Sequence, residues 1–198
     1  KLPGFAGTYG QAGWGGRPAT GADGWSARGL FHPTSNGLTR VGNYTYHMDQ
    51  TDIWGDDFLW DASYATLAMN RWYEIEQYVK LNTPGQANGI MRAWIDGHLV
   101  FERTNLEFRS ASNLKIESVW FNVYLGGSAT APYDEHLYID DVKISRQFIP
   151  FANAAGSLVG AGANLQLEVS QTVASAVQSS GFVPQPALLP AASGSLSD

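Results

Sequence analysis

The sequence predicts an all-β protein built as a β-sandwich or jelly roll. Of its 198 residues 13% are aromatic and only 15% are charged, and 22 Gly and 9 Pro punctuate the chain. That composition suits strands and turns better than helices. Apolar and polar residues alternate over a series of short stretches bounded by turn residues, the pattern of half-buried strands. Asp96-Gly97 lies between two such stretches and suits a two-residue type I′ hairpin turn.

Residues 1–24 read as a Gly-rich loop, "GTYGQAGWGGRPATGADG", which Trp14 is expected to pin. No GKS or GKT follows it, so it is not a phosphate-binding loop. Strands are then expected in "WSARGLF" (25–31) and "NYTYHM" (43–48). "WDASYATLAMNRW" (60–72) spaces Tyr64, Leu67 and Ala68 as in a short helix. "RWYEIEQYVKLN" (71–82) puts Tyr73, Ile75, Val79 and Leu81 on one strand face. "GIMRAWIDGHLVFER" (89–103) forms the hairpin around Asp96-Gly97. "KIESVWFNVYLGG" (115–127) sets Val119, Phe121, Val123 and Leu125 against Ser118, Trp120, Asn122 and Tyr124, and "HLYIDDVKIS" (136–145) closes the series. Residues 1–146 are thus expected to form the folded domain. Residues 147–198, rich in Ala, Gly and Ser with late prolines, read as a linker or tail, with "NLQLEVS" one stray strand at most.

The chain lacks cysteine, which excludes disulfides and thiolate chemistry. No apolar run nears the roughly 20 residues that span a bilayer, so no membrane partner is expected. The net charge is −6, yet residues 1–48 hold Lys1, Arg17, Arg28 and Arg40 against Asp23 alone. A local basic zone on an acidic protein suits an anionic ligand rather than nucleic acid, although scattered surface arginines give the same count. His32, His47, His98 and His136 show no ligand spacing, so no catalytic metal is expected. Asp134, Glu135, Asp140 and Asp141 could hold a structural calcium ion, but such strand-end carboxylates are more often surface charges. No GxSxG is present to support acyl-enzyme hydrolysis. Glu74 and Glu76 share a strand face and form a candidate pair for glycoside hydrolysis, or simply a solvated face.

Residues i and i+2 of a strand point the same way, so Ser26 pairs with Arg28 and Tyr44 with Tyr46. If the two pairs share a face, the sheet presents a guanidinium suited to gripping a carboxylate beside tyrosines able to move protons. A two-residue turn at Asn36-Gly37 opposes this. It would set Arg28 against Thr45 and send both tyrosines to the core face. A bulge or a longer loop, which Pro33 favours, restores the common face. Both arrangements stand at this level.

Taken together, "KLPG", "WSAR", "YTY" and "WYEIEQYVKLNTPGQANGIMRAWIDG" resemble polysaccharide lyase family 14, which includes alginate lyases and a glucuronate-directed lyase. The resemblance spans residues 1 to about 146. It implies a jelly-roll β-sandwich of the concanavalin A-like type whose concave sheet binds an anionic polysaccharide. The catalytic set it implies is Lys1, Ser26, Arg28, Tyr44 and Tyr46, with Trp120, Asn122 and Tyr124 as candidate substrate-binding residues. It also implies β-elimination with no cofactor, a monomer, and a secreted or periplasmic location. Relatives carry strands before the lysine, so this chain is expected to lack its first strands. The longer gap between S-x-R and Y-x-Y, "HPTSNGLT", is a departure from the pattern. The competing reading is a non-catalytic, lectin-like carbohydrate-binding module.

Overall fold

The computed structural model describes residues 1–7, 10, 12–127 and 136–149. Its strands are β1 (Leu2–Gly7), β2 (Trp25–Pro33), β3 (Thr39–Tyr46), β4 (Asp56–Leu59), β5 (Thr66–Leu67), β6 (Ile75–Lys80), β7 (Gly89–Ile95), β8 (His98–Leu106) and β9 (Ser118–Trp120). One antiparallel sheet has the order β4-β3-β2-β1-β9, with β5 also on β3, and a second has the order β6-β7-β8. Among the described residues there is no helix. The protein is an all-β jelly-roll sandwich.

Period-2 alternation divides the side chains between the faces. Trp25 and Ala27 of β2 turn inward to Met91, Leu106, Phe108 and Leu114. Val41 of β3 packs with Trp60, Ala93, Ile95 and Val100. The two sheets are also tied by a chain of hydrogen bonds. Trp60 Nε1 donates to Asn43 Oδ1 at 2.8 Å, Asn43 Nδ2 to Gln77 Oε1 at 2.9 Å, and Gln77 Nε2 to the Pro3 carbonyl at 3.1 Å. The last bond fixes β1 at a bulge between Leu2 and Gly4, where the pairing with β2 shifts register.

The β2–β3 hairpin settles the question of parity. Its turn holds three residues, Ser35, Asn36 and Gly37, between Thr34 and Leu38. Thr34 N–H donates to Leu38 O at 2.8 Å and Gly37 N–H to Thr34 O at 3.2 Å, with Gly37 at φ +77°. This is a turn closed by a left-handed residue, the usual three-residue hairpin. An odd loop pairs Ser26 with Tyr46 and Arg28 with Tyr44, so both pairs share the face away from the core. The other hairpin has Asp96 at φ +48° and Gly97 at φ +82°, as a type I′ turn requires.

Four expected elements differ. Residues 2–7, expected to belong to the Gly-rich loop, form β1 between β2 and β9, because their main chain is paired on both sides. Residues 60–72 make one hydrogen-bonded turn, Ala65 N–H to Asp61 O at 2.8 Å, and then pass into β5, because the Ala65 carbonyl is taken by Val41 N–H of β3. The strand expected over 115–127 is laddered only at Ser118–Trp120, and Phe121, Val123 and Leu125 are exposed. Residues 136–145 form no strand, and Leu137, Tyr138 and Ile139 are exposed. Alternation alone does not make a strand of either stretch. Beyond Trp120 the pairing among the described residues is one pair of main-chain bonds between Tyr124 and Lys1, and residues 136–145 lie in no ladder among the described residues. "NLQLEVS" and all of the expected tail beyond 149 lie outside the described residues.

Gly37 is open to solvent, so only its backbone conformation resists substitution. Gly37→Ala should destabilise the protein by about 1 kcal/mol, and Gly37→Asn, which tolerates this conformation, by less. Urea unfolding midpoints check the order, and equal midpoints for Ala and Gly would contradict the turn.

Candidate active site

Two cross-strand rows build the outer face of the larger sheet. Trp120, Gly4, Arg28, Tyr44 and Asp57 lie side by side on β9, β1, β2, β3 and β4, and Ser118, Ala6, Ser26 and Tyr46 form the next row. Main-chain bonds between Lys1 and Tyr124, N to O at 2.5 Å and O to N at 3.2 Å, continue the β1–β9 contact beyond the ladder. Lys1, Arg28, Tyr44, Trp120 and Tyr124 are therefore brought together.

Arg28 is the centre. It is 5% exposed. Its guanidinium carbon lies 5.6 Å from the ring centres of both Tyr44 and Trp120, and Nη1 donates to Tyr124 Oη at 2.9 Å. Nε is buried without a hydrogen-bond partner, and no carboxylate among the described residues forms an ion pair with the group. A buried cation without a counter-ion is costly, and the arrangement suits the arrival of an anion.

Lys1 Nζ sits 3.3 Å from the Tyr44 ring centre. Burial pushes its pKa down and the Arg28 charge adds to this, while Asp57 works the other way. Asp57 is itself 3.3 Å from His32 Nε2. Tyr44 is pushed well above the usual tyrosine range, first by burial and then by the Tyr46 hydroxyl 3.5 Å away. Tyr44 Oη also accepts the Gly55 N–H at 3.1 Å.

Ser26 and Tyr46 are placed differently. Both are 0% exposed, because the turn over residues 13–17 covers them. Ser26 Oγ donates to the Gly13 carbonyl at 2.6 Å, and Tyr46 Oη accepts the Gly16 N–H at 2.9 Å. The Gly-rich segment is thus pinned by Ser26 and Tyr46 rather than by Trp14, which is 39% exposed.

Asn122 has a buried Oδ1 with no hydrogen-bond partner. Glu76 lies on β6 of the other sheet, and burial raises its pKa, with Glu74 adding to the effect. Asp134 and Glu135 lie outside the described residues, while Asp140 and Asp141 are exposed. No group of three potential metal ligands occurs among the described residues. A cavity of about 300 Å³ lined by Tyr64, Arg71, Tyr73 and His98 contains none of the residues of the two rows.

Asp57, Gly13, Gly16 and Gly55 were not identifiable from sequence. Only the β3–β4 register reveals Asp57 opposite Tyr44, and the three glycines contribute main-chain groups that carry no side-chain signal. Asn82, within the LNTPG motif, is structural. Its Oδ1 accepts the N–H groups of Phe108 and Arg109 at 2.8 and 3.0 Å.

The sequence model of polysaccharide lyase 14 matches residues 1–142. The chain belongs to polysaccharide lyase family 14. Solved structures of alginate lyase Aly36B are similar to it. One structure of this enzyme aligns with TM-score 0.53 and 24% identity over 64% of this chain and 52% of that one. A double mutant in complex with an alginate trisaccharide aligns with TM-score 0.53 and 25% identity over the same shares. The chain thus spans about half the length of these structures. No curated protein sequence matches it.

Tyr46→Phe removes the acceptor of the Gly16 N–H while keeping the ring. Amide hydrogen exchange at Gly16 should accelerate about fivefold or more, in line with a lost hydrogen bond worth ~1 kcal/mol or more. Unchanged exchange would contradict the pinning of this turn.

Proposed function

We propose that this domain is a polysaccharide lyase that cleaves a uronic-acid polymer by β-elimination. The observation that carries this reading is Arg28, a buried guanidinium with no carboxylate partner among the described residues, set beside an amine and a tyrosine hydroxyl. Arg28 binds and neutralises the uronate carboxylate, which acidifies the C5 proton and stabilises the enolate-like transition state. Lys1, whose depressed pKa leaves more free amine at neutral pH, takes the C5 proton. Tyr44, which burial keeps protonated, gives its proton to the leaving C4 oxygen. The C5–H and C4–O bonds break and a C4–C5 double bond forms. Buried Ser26 and Tyr46 act as positioning residues, holding the covering turn and the Tyr44 hydroxyl.

Trp120 and Tyr124 flank Arg28 and orient the sugar, and Asn122, whose buried Oδ1 lacks a partner, lies between them in sequence. The alginate trisaccharide in the similar enzyme favours alginate as the substrate, and glucuronan offers the same carboxylate at C5. A polymer of this kind is met outside the cytoplasm, so the domain would act in the periplasm or the medium.

Elimination leaves an unsaturated uronate that absorbs in the ultraviolet. Absorbance should rise on polymannuronate, polyguluronate or glucuronan. Arg28→Ala should reduce the rate at least about 100-fold, the scale of a lost electrostatic stabiliser, with the fold intact by circular dichroism. A folded protein that binds these polymers without any absorbance change would make the domain a lectin-like module.

The pH dependence assigns the base. Asp57 raises the Lys1 pKa, so Asp57→Asn should lower it. With Lys1 as base, the acidic limb of kcat/KM should move to lower pH. Movement of the alkaline limb instead would make Lys1 a carboxylate-binding cation and not the base.

A further inference from the structure

We propose that Trp14, Arg17 and Trp54 form a further sugar subsite, one that takes a second uronate residue of the polymer beyond the one whose bond is broken. This rests on the polyuronate reading above and deepens it.

Two loops meet at the Tyr46 end of the catalytic rows. The first is the tight turn Trp14-Gly15-Gly16-Arg17, closed by Gly13 N–H to Arg17 O at 2.8 Å and Arg17 N–H to Trp14 O at 3.0 Å. Gly15 and Gly16 have φ of +60° and +77°, so the turn throws Trp14 and Arg17 onto one side. The Arg17 guanidinium carbon lies 4.6 Å from the Trp14 ring centre. The second loop is Gln50–Gly55. Gln50 Nε2 donates to the carbonyls of Asp52 and Trp54 at 2.9 and 3.0 Å. Asp52 Oδ1 accepts the Ile53 and Trp54 N–H groups at 2.6 and 3.4 Å. The main chain of Trp54 is therefore held in place, while the residue remains 52% exposed.

The loops touch each other and the catalytic tyrosines. A Cβ on Gly16 would come within 3.2 Å of the Trp54 ring, so glycine is what lets the indole lie against the turn. The Gly16 N–H binds Tyr46 and the Gly55 N–H binds Tyr44. The platform is thus fixed to the site by one main-chain bond from each loop.

An exposed indole packed against Gly16 presents an apolar face to a sugar ring, and ordering it costs less than ordering a long flexible side chain. Exposed aromatic surface rimmed by polar groups marks a ligand groove. A guanidinium on the neighbouring indole adds carboxylate recognition. A neutral sugar would use the rings but not Arg17. A polyuronate, which repeats its carboxylate at every residue, uses both.

The test is calorimetric titration of the unaltered protein, Trp54→Ala and Arg17→Gln with alginate di- and hexasaccharides. The unaltered protein should bind the hexasaccharide about tenfold more tightly than the disaccharide, one extra site's worth of ~1.4 kcal/mol. Either substitution should erase most of that gain. Arg17→Gln should in addition weaken the salt dependence of hexasaccharide binding, whereas Trp54→Ala should leave it. Thermal melts confirm that each variant is folded. If the gain survives both substitutions, the subsite is wrong while the polyuronate reading stands. If no uronate oligomer binds the unaltered protein, both fall.

Discussion

The register between β2 and β3 is the constraint on which the site depends. With three residues in the turn, Arg28 lies opposite Tyr44 and Ser26 opposite Tyr46. Because side chains alternate with period two, a change of one residue in the loop would turn both tyrosines toward Trp25 and Met91 and bring Val41, Asn43 and Thr45 outward. The hydrophobic pattern and the turn therefore enforce the same register. Val41 and Trp60 need the core, and Gly37 supplies the left-handed residue that closes an odd loop.

Around that hairpin, polar contacts set what packing alone leaves free. The Trp60–Asn43–Gln77–Pro3 chain runs from one sheet to the other and ends on the bulge of β1, which carries Lys1 to the Tyr44 ring. On the outer face, Tyr44 and Tyr46 each accept a main-chain N–H from a different loop. These loops, in turn, cover Ser26 and Tyr46. Arg28 is left with a buried nitrogen unsatisfied, and among the described residues no carboxylate is paired to it. Such an arrangement is unfavourable by itself and becomes favourable when an anion binds, as expected of a preorganised electrostatic site.

Much of this was legible in the residues. The Asp96-Gly97 turn and the pairing of Ser26 with Arg28 and of Tyr44 with Tyr46 follow from local chemistry and alternation. The joining of those two pairs on one face did not, since Asn36-Gly37 serves a two-residue or a three-residue turn equally well and the parity is decided by core packing. Helical spacing at 60–72 misled because β3 claims the Ala65 carbonyl. Alternation at 121–127 and 136–145 misled because a strand needs a continuous partner as well as a pattern, and the first stretch meets β1 again only at Tyr124. The covering turn was invisible for a different reason: its contacts run through the main chain of Gly13 and Gly16, and sequence signals report side chains.

Cross-strand nuclear Overhauser contacts between the backbone protons of β2 and β3 measure the register directly. The account predicts contacts pairing Arg28 with Tyr44 and Ser26 with Tyr46. Contacts pairing Arg28 with Thr45 would place the tyrosines in the core and dissolve the site.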